Sequence, residues 1–210
     1  IIQRDFFDFI TKDKVDKNFD LVIGNPPFNP PPNQDGTEYK KSEYSNEVIE
    51  KYNIKPYSIK DSNVALLFLQ LSAKLLQKES GLLCLIQPAL PLLHKKDNEV
   101  FRQELFSNHN VLQVIDFTTL RRVLFPIATV PTCAIFIENS AKKNDEITHV
   151  VIRRTNPSKE RLYFEIDAYD VHSVKRENAF LNYAWKSNLF GGYRLFNLVE
   201  RIILNNGYEK

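Results

Sequence analysis

Two short apolar runs, Phe19 to Gly24 (FDLVIG) and Leu82 to Gln87 (LLCLIQ), constrain this chain more than any other feature. Each is continuous rather than alternating and each closes at a proline-containing turn, the pattern of a strand covered on both faces. Between them, Asp61, Ser62 and Asn63 offer N-cap oxygens to the run VALLFLQLSAKLLQK, which is apolar on most faces and reads as a well-buried helix. Gly81 stands where a helix C-terminus needs a left-handed residue. Strand, helix and strand of these lengths make a βαβ crossover, so the two strands are expected to be parallel.

A second helix is expected from an N-cap at Asp97, with Val100, Phe101, Leu105 and Phe106 on one face. Val111 to Phe117 (VLQVIDF) and Thr132 to Glu138 (TCAIFIE) read as strands too close for a helical crossover, hence an antiparallel hairpin. Asn139 to Glu146 is a polar surface turn. Ile147 to Arg154 and Leu162 to Ile166 read as further strands, and Tyr193 to Leu204 as an amphipathic helix. The segment Asn29 to Lys60 is long for a connection and rich in tyrosine, with a weak helical stretch near Asn46 to Lys51. It reads equally as a solvated insertion or as a lid.

Composition excludes several classes. With 43% hydrophobic and 12% aromatic residues, the chain can fill a sizeable core, which rules out disorder. A net charge of +2 neither demands nor excludes a nucleic-acid partner. Cys84 and Cys133 each lie in an apolar run, without a CxxC, and the four histidines have no ligand-like spacing. No disulfide framework and no metal are therefore expected, and the cytoplasm is the default location. No stretch approaches the ~20 apolar residues of a membrane span, and no signal peptide opens the chain. Methionine is absent and Ile1 opens in what reads as an apolar strand, so the chain is expected to be a piece of a longer polypeptide.

Asn25-Pro26-Pro27-Phe28 follows directly on the first strand, at the carboxyl end where open α/β sheets bind ligands. Each proline drives the residue before it into extended geometry and withholds an N–H, so the stretch offers acceptors rather than donors. The Asn25 amide oxygen and the Pro26 carbonyl can together accept both hydrogens of one planar NH2 group. Phe28 supplies a flat face for stacking an aromatic base. Methylation of an exocyclic amine requires such a site. The amine lone pair is delocalised into the ring, and two acceptors pulling on its hydrogens turn the pair toward an electrophilic methyl group. For these residues alone, a stiff exit turn is the competing reading.

FDLVIGNPPF resembles motif IV of the adenine-N6 DNA methyltransferases, of the gamma class found in restriction-modification systems. RDFFDF resembles the family's motif III, in which an acidic residue after a strand accepts a hydrogen bond from the adenine of S-adenosylmethionine and the next aromatic residue lines that pocket. Asp5 and Phe6 occupy these places. The helix and strand ending in QPALPLL resemble motifs V and VI. LFPIATVP resembles motif VIII, which implies that Phe125 packs against the flipped target base. The match runs from Asp5 to about Asn139, and after Ile147 it weakens. Arg121 and Arg122, beside this loop, read either as phosphate contacts or as a solvated basic pair.

The resemblance implies an α/β fold: the C-terminal part of a Rossmann-like, S-adenosylmethionine-dependent methyltransferase, its mixed sheet ending in an antiparallel β-hairpin. Residues 1–146 would be a partial catalytic domain, and residues 147–210 an extension leading toward a target-recognition region. The family's Gly-rich motif I is not found among the six glycines, so the first two strands are expected to lie before Ile1 and the isolated chain to be inactive. The motif IV strand would then have an open edge, which implies a homodimer or another interchain contact along it. The implied partner is double-stranded DNA with a flipped adenine. Two rivals stand beside this reading. The same acceptor logic serves methylation of guanine N2 in RNA or of a glutamine amide in a protein, and a non-catalytic subunit could keep the fold.

Overall fold

The computed structural model describes residues 3–12, 18–32, 35–60, 62–124, 130–153 and 165–205. In chain order its elements are α1 (Phe6–Lys12), β1 (Leu21–Gly24), α2 (Lys41–Lys51), α3 (Val64–Ser72) and β2 (Leu82–Pro88). They continue with α4 (Glu99–Asn108), β3 (Asn110–Asp116), β4 (Thr132–Glu138), β5 (Glu146–Val151) and β6 (Val171–Lys175). Two helices, α5 (Asn182–Phe190) and α6 (Gly192–Asn205), follow.

The strands form one six-stranded mixed sheet in the order β1-β2-β4-β3-β5-β6. β1 and β2 are parallel, with Gly24 opposite Leu85, as a crossover through α3 requires. β4 lies antiparallel between β2 and β3, so the expected hairpin is present. The sheet continues past it: β5 runs parallel to β3, and β6 closes antiparallel on β5. Of the expected strand at Leu162 to Ile166, residues 162–164 lie outside the described residues, and Glu165 and Ile166 are not in a strand.

One face of the sheet carries Leu83, Leu85, Ile135, Ile137, Val114 and Ile147 into a core shared with α3, α4 and α5. Trp185 anchors α5 there. Its indole N–H donates to the Ala179 carbonyl at 2.7 Å, and its ring stacks on Phe106 at 5.4 Å. The opposite face of β1 is uncovered, with Leu21 59% and Ile23 73% exposed, so this strand is not buried on both faces as its sequence suggests. Only Val22 and Gly24 turn toward covered neighbours, because alternate residues of a strand point to opposite sides.

Several local expectations shift for identifiable reasons. Asn63 caps α3, its Oδ1 accepting the Ala65 N–H at 3.1 Å, whereas Asp61 lies outside the described residues. α3 tightens into a 3-10 turn at Ala73–Leu75 and ends well before Gly81. The left-handed residue is Glu79, with φ 69°. Gly81 is needed for close approach instead: a Cβ there would lie 2.7 Å from the Gln77 nitrogen. Gly81→Ala is therefore expected to destabilise the fold by about 1–3 kcal/mol, read as a lower thermal midpoint. α4 begins after a 3-10 turn at Lys96–Asn98 rather than at an Asp97 cap, and it buries Phe101, Arg102, Leu105 and Phe106, leaving Val100 exposed.

The described residues of the segment 29–60 are neither solvated throughout nor a free lid. α2 packs Val48 onto Phe7, Leu67 and Leu71. The following stretch is pinned by side chains of α3, α4 and the turn before α4. Gln70 accepts from Tyr57 N at 2.8 Å and donates to the Lys55 carbonyl at 2.9 Å. Glu104 accepts from Ser58 N at 2.8 Å, and Asn98 accepts from Lys60 N at 3.2 Å. Tyr57 completes the seam by hydrogen bonding to His109 Nε2 at 3.1 Å.

Burial, helped by Lys143 and Lys74, pushes the His109 imidazole down to about 4. A base depressed on folding favours the unfolded state as it protonates. Stability present above about pH 6.5 is therefore lost as pH falls toward 4, by up to about 3 kcal/mol. Urea unfolding followed by Trp185 fluorescence is expected to show this loss, and His109→Gln is expected to remove that part of it.

Candidate active site

β1 delivers Asn25-Pro26-Pro27-Phe28 at the carboxyl end of the sheet, beside the end of β2. Asn25 is exposed, and Pro26 and Phe28 are half-buried. Among the described residues, no hydrogen bond engages the Asn25 amide or the Pro26 carbonyl, and no ring contact engages Phe28. Two acceptors and an aromatic ring, none with a partner among the described residues, thus stand at the tip of a strand whose other end is fixed in the sheet. The prolines supply the rigidity, since neither can rotate about φ or donate a competing N–H.

Asp5 precedes and Phe6 begins α1, where the sequence suggests the end of a strand; residues 1–2 lie outside the described residues, and 3–5 are irregular. The physical reason is capping: Asp5 Oδ1 accepts from Phe7 N at 2.9 Å and from Asp8 N at 3.0 Å. Asp5 is exposed, and its Oδ2 has no partner among the described residues. Phe6 is half-buried and stacks on Phe68 at 4.5 Å. No hydrogen bond or ring contact among the described residues joins Asp5 or Phe6 to Asn25 through Phe28. Phe125 lies outside the described residues. Arg121 and Arg122 are exposed on a turn that packs Leu120 against Val150 and Ile152, and Arg122 is left-handed at φ 66°.

A polar cluster at the same edge of the sheet was not evident from sequence spacing. Asp116, the last residue of β3, is fully buried. Its Oδ1 accepts from Thr118 N at 2.8 Å and its Oδ2 from His94 Nε2 at 3.1 Å, with His149 Nε2 at 3.6 Å. Asn188 donates to His149 Nδ1 at 3.0 Å, so the proton of a neutral His149 sits on Nε2, facing the carboxylate. Burial would raise the Asp116 carboxyl, but the imidazoles of His149 and His94 facing it win and hold it below the usual carboxylate range. Burial pushes His149 down, which keeps it neutral. The one sequence signal was an aspartate closing a mostly apolar strand. Among the described residues, no group of three or more His, Cys, Asp or Glu is placed to hold a metal ion, and no helix is long and apolar enough to cross a membrane.

A parallel pair β1-β2 bearing Asn-Pro-Pro-Phe at its tip, with an antiparallel strand inserted between β2 and β3, makes a mixed α/β sheet of the Rossmann-like kind. Residues 3–123 match the model of the Eco57I restriction-modification methylase family, and the chain belongs to that family. Among solved structures it is similar to a modification subunit of a putative type I restriction enzyme from Vibrio vulnificus YJ016, with a TM-score of 0.58 and 16% identity over 82% of this chain. It is also similar to the type I restriction-modification methyltransferase subunit from Streptococcus thermophilus, with a TM-score of 0.53 and 16% identity over 79% of this chain. A third is a nuclease-deletion mutant of the type ISP enzyme LlaGI in complex with a DNA substrate mimic, with a TM-score of 0.51 and 15% identity over 77% of this chain. The chain spans 37%, 36% and 15% of the lengths of these three proteins. The comparison with curated proteins returns no match.

Proposed function

We propose that the complete gene product transfers a methyl group from S-adenosylmethionine to N6 of adenine in DNA, as the modification activity of a restriction-modification system. The observation that supports this reading is that Asn25, Pro26 and Phe28 follow β1 at the carboxyl end of the sheet with no hydrogen bond or ring contact among the described residues. Membership of a restriction-modification methylase family supports DNA as the substrate over RNA or a protein amide.

The roles follow from the residues. The Asn25 amide oxygen and the Pro26 carbonyl take the two amine hydrogens of an extrahelical adenine. Pro27 holds the Pro26 carbonyl in place, and Phe28 stacks on the base. Because the amine lies inside the duplex stack, the base must flip, at a cost of a few kcal/mol. Phe125 is read as the opposing contact on the flipped base. Acceptors on both hydrogens draw the lone pair out of the ring plane and stabilise the positive charge that grows on nitrogen. The amine then releases a proton, and no tuned general base is required of this chain.

The residues present fit the adenine end of the cofactor. Asp5 is exposed and keeps one carboxylate oxygen without a hydrogen-bond partner among the described residues, and Phe6 next to it in the chain is half-buried and stacked on Phe68. When bound, the cofactor supplies an electrophilic methyl carbon on a positively charged sulfur. A cytoplasmic location belongs to the same proposal, and so, for the 210-residue chain by itself, does pairing of the β1 edge, which has no second partner strand among the described residues, with a second copy. A monomer in sedimentation would remove the pairing.

Incubating the complete gene product with tritiated S-adenosylmethionine and a mixture of DNA, RNA and protein tests the substrate class. Label is expected in DNA. Label confined to RNA or protein would overturn the reading, and absence of label from all three would favour a non-catalytic subunit.

A further inference from the structure

Asp116 closes β3 at the same edge of the sheet from which Asn25 to Phe28 depart. The pairing register puts these places in one row: Gly24 lies opposite Leu85, and two residues on, Gln87 lies opposite Cys133, which lies opposite Asp116. Three strand spacings separate β1 from β3, or about 14 Å. The buried carboxylate touches three elements here: the turn leaving β3 through Thr118, the turn leaving β2 through His94, and β5 through His149.

The exits of β2 and β3 are joined a second time. Ala89, the first residue after β2, donates its N–H to the Pro131 carbonyl at 2.9 Å, where the connection from β3 returns. Ile152 N donates to the Asp116 carbonyl at 3.2 Å, and Asn182 Nδ2 donates to the His94 carbonyl at 3.1 Å. Unused buried polar capacity concentrates along the same row. Both side-chain atoms of Gln87, His94 Nδ1, Thr118 Oγ1 and His149 Nε2 are buried without a hydrogen-bond partner among the described residues. A strut in the interior normally satisfies all its polar groups, whereas this cluster keeps several open beside the exits that flank the candidate site.

We propose that Asp116 is a positioning residue. Its carboxylate locks the turn leaving β3, with Arg121 and Arg122 on it, to the turn leaving β2, and so sets the side of the site across from Asn25. The effect on substrate rests on the reading of Asn25 to Phe28 given above; the tie itself does not.

The test compares the complete gene product with its Asp116→Asn variant, in which an NH2 group replaces one carboxylate oxygen facing two imidazole N–H groups or the Thr118 amide. Amide hydrogen exchange is expected to rise by about tenfold over residues 89–98 and 117–124 while α3 and β4 keep their protection. With DNA as substrate, KM for DNA is expected to rise about fivefold with kcat held within about twofold. His94→Phe, which removes only one of the bonds, is expected to shift both readouts the same way by less, and it serves if Asp116→Asn does not fold. Exchange that rises equally throughout the chain, or stays unchanged over 117–124, overturns the proposal. So does a local rise in exchange without a shift in KM. A wild-type protein that methylates no DNA, while the exchange change stays local, removes the reading of Asn25 to Phe28 and leaves the tie standing.

Discussion

Replacing Asn25 by alanine is expected to slow methyl transfer by the complete gene product about 10²- to 10³-fold, the loss typical when one preorganised partner of a developing charge is removed. The truncation takes away one of two acceptors and leaves the Pro26 carbonyl, so residual transfer is expected. Cofactor affinity is expected to hold, because no hydrogen bond or ring contact among the described residues connects Asn25 to Asp5 or Phe6. The loss therefore falls in kcat and leaves the cofactor KM unchanged. Folding is not a competing explanation. The Asn25 side chain is exposed and supports no other described residue, so the thermal midpoint is expected to stay within about a degree of wild type. Asn25→Asp keeps an acceptor in place and is expected to recover part of the rate. Single-turnover methyl transfer measured for the three proteins checks the series.

The largest effect on stability is expected at Arg176. Its guanidinium sits where α4 ends and β3 begins. Nη1 donates to the carbonyls of Phe106 at 2.9 Å and His109 at 3.0 Å. Nη2 donates to Asn110 Oδ1 and to the Val111 carbonyl, each at 3.1 Å, and Nε donates to the Asn144 carbonyl. Carbonyls at a helix C-terminus lack partners of their own and carry the negative end of the helix dipole, so a planar cation with five donors suits the place. Burial lowers the guanidinium from its usual range, but not enough to discharge it. Arg176→Ala strands these acceptors together and is expected to cost about 3–5 kcal/mol. For a domain of this size that corresponds to a fall of about 10 °C in the thermal midpoint. Arg176→Lys is expected to recover little, since one ammonium cannot span acceptors on α4, β3 and the turn before β5. Calorimetry of the three proteins measures the difference.

What the sequence made legible was whatever local chemistry decides. The continuous apolar runs located β1 and β2, the caps located α3, and the short separation of VLQVIDF from TCAIFIE located the antiparallel pair. Asn25 to Phe28 was legible as a candidate because prolines constrain geometry without help from elsewhere. The start of the described chain was not. Phe6, Phe7 and Phe9 fit either a strand or a helix, and the Asp5 cap decides for the helix. The course of 54–60 was hidden for another reason. Its partners Gln70, Asn98 and Glu104 are distant in sequence and act through single side-chain bonds to backbone. The Asp116 cluster was likewise unreadable, because His94 and His149 reach it only once β2, β3 and β5 have taken their places in the sheet.

The central claim is that two oxygens at the tip of β1 grip the amine of a flipped adenine. Its most direct measurement is the identity of the methylated nucleoside. DNA treated with the complete gene product and deuteromethyl S-adenosylmethionine is digested to nucleosides and resolved by mass spectrometry, with Asn25→Ala in parallel. Label in N6-methyladenine that falls with the substitution is the expected result. Label on a ring carbon, or N6-methyladenine formed equally well by Asn25→Ala, would contradict it.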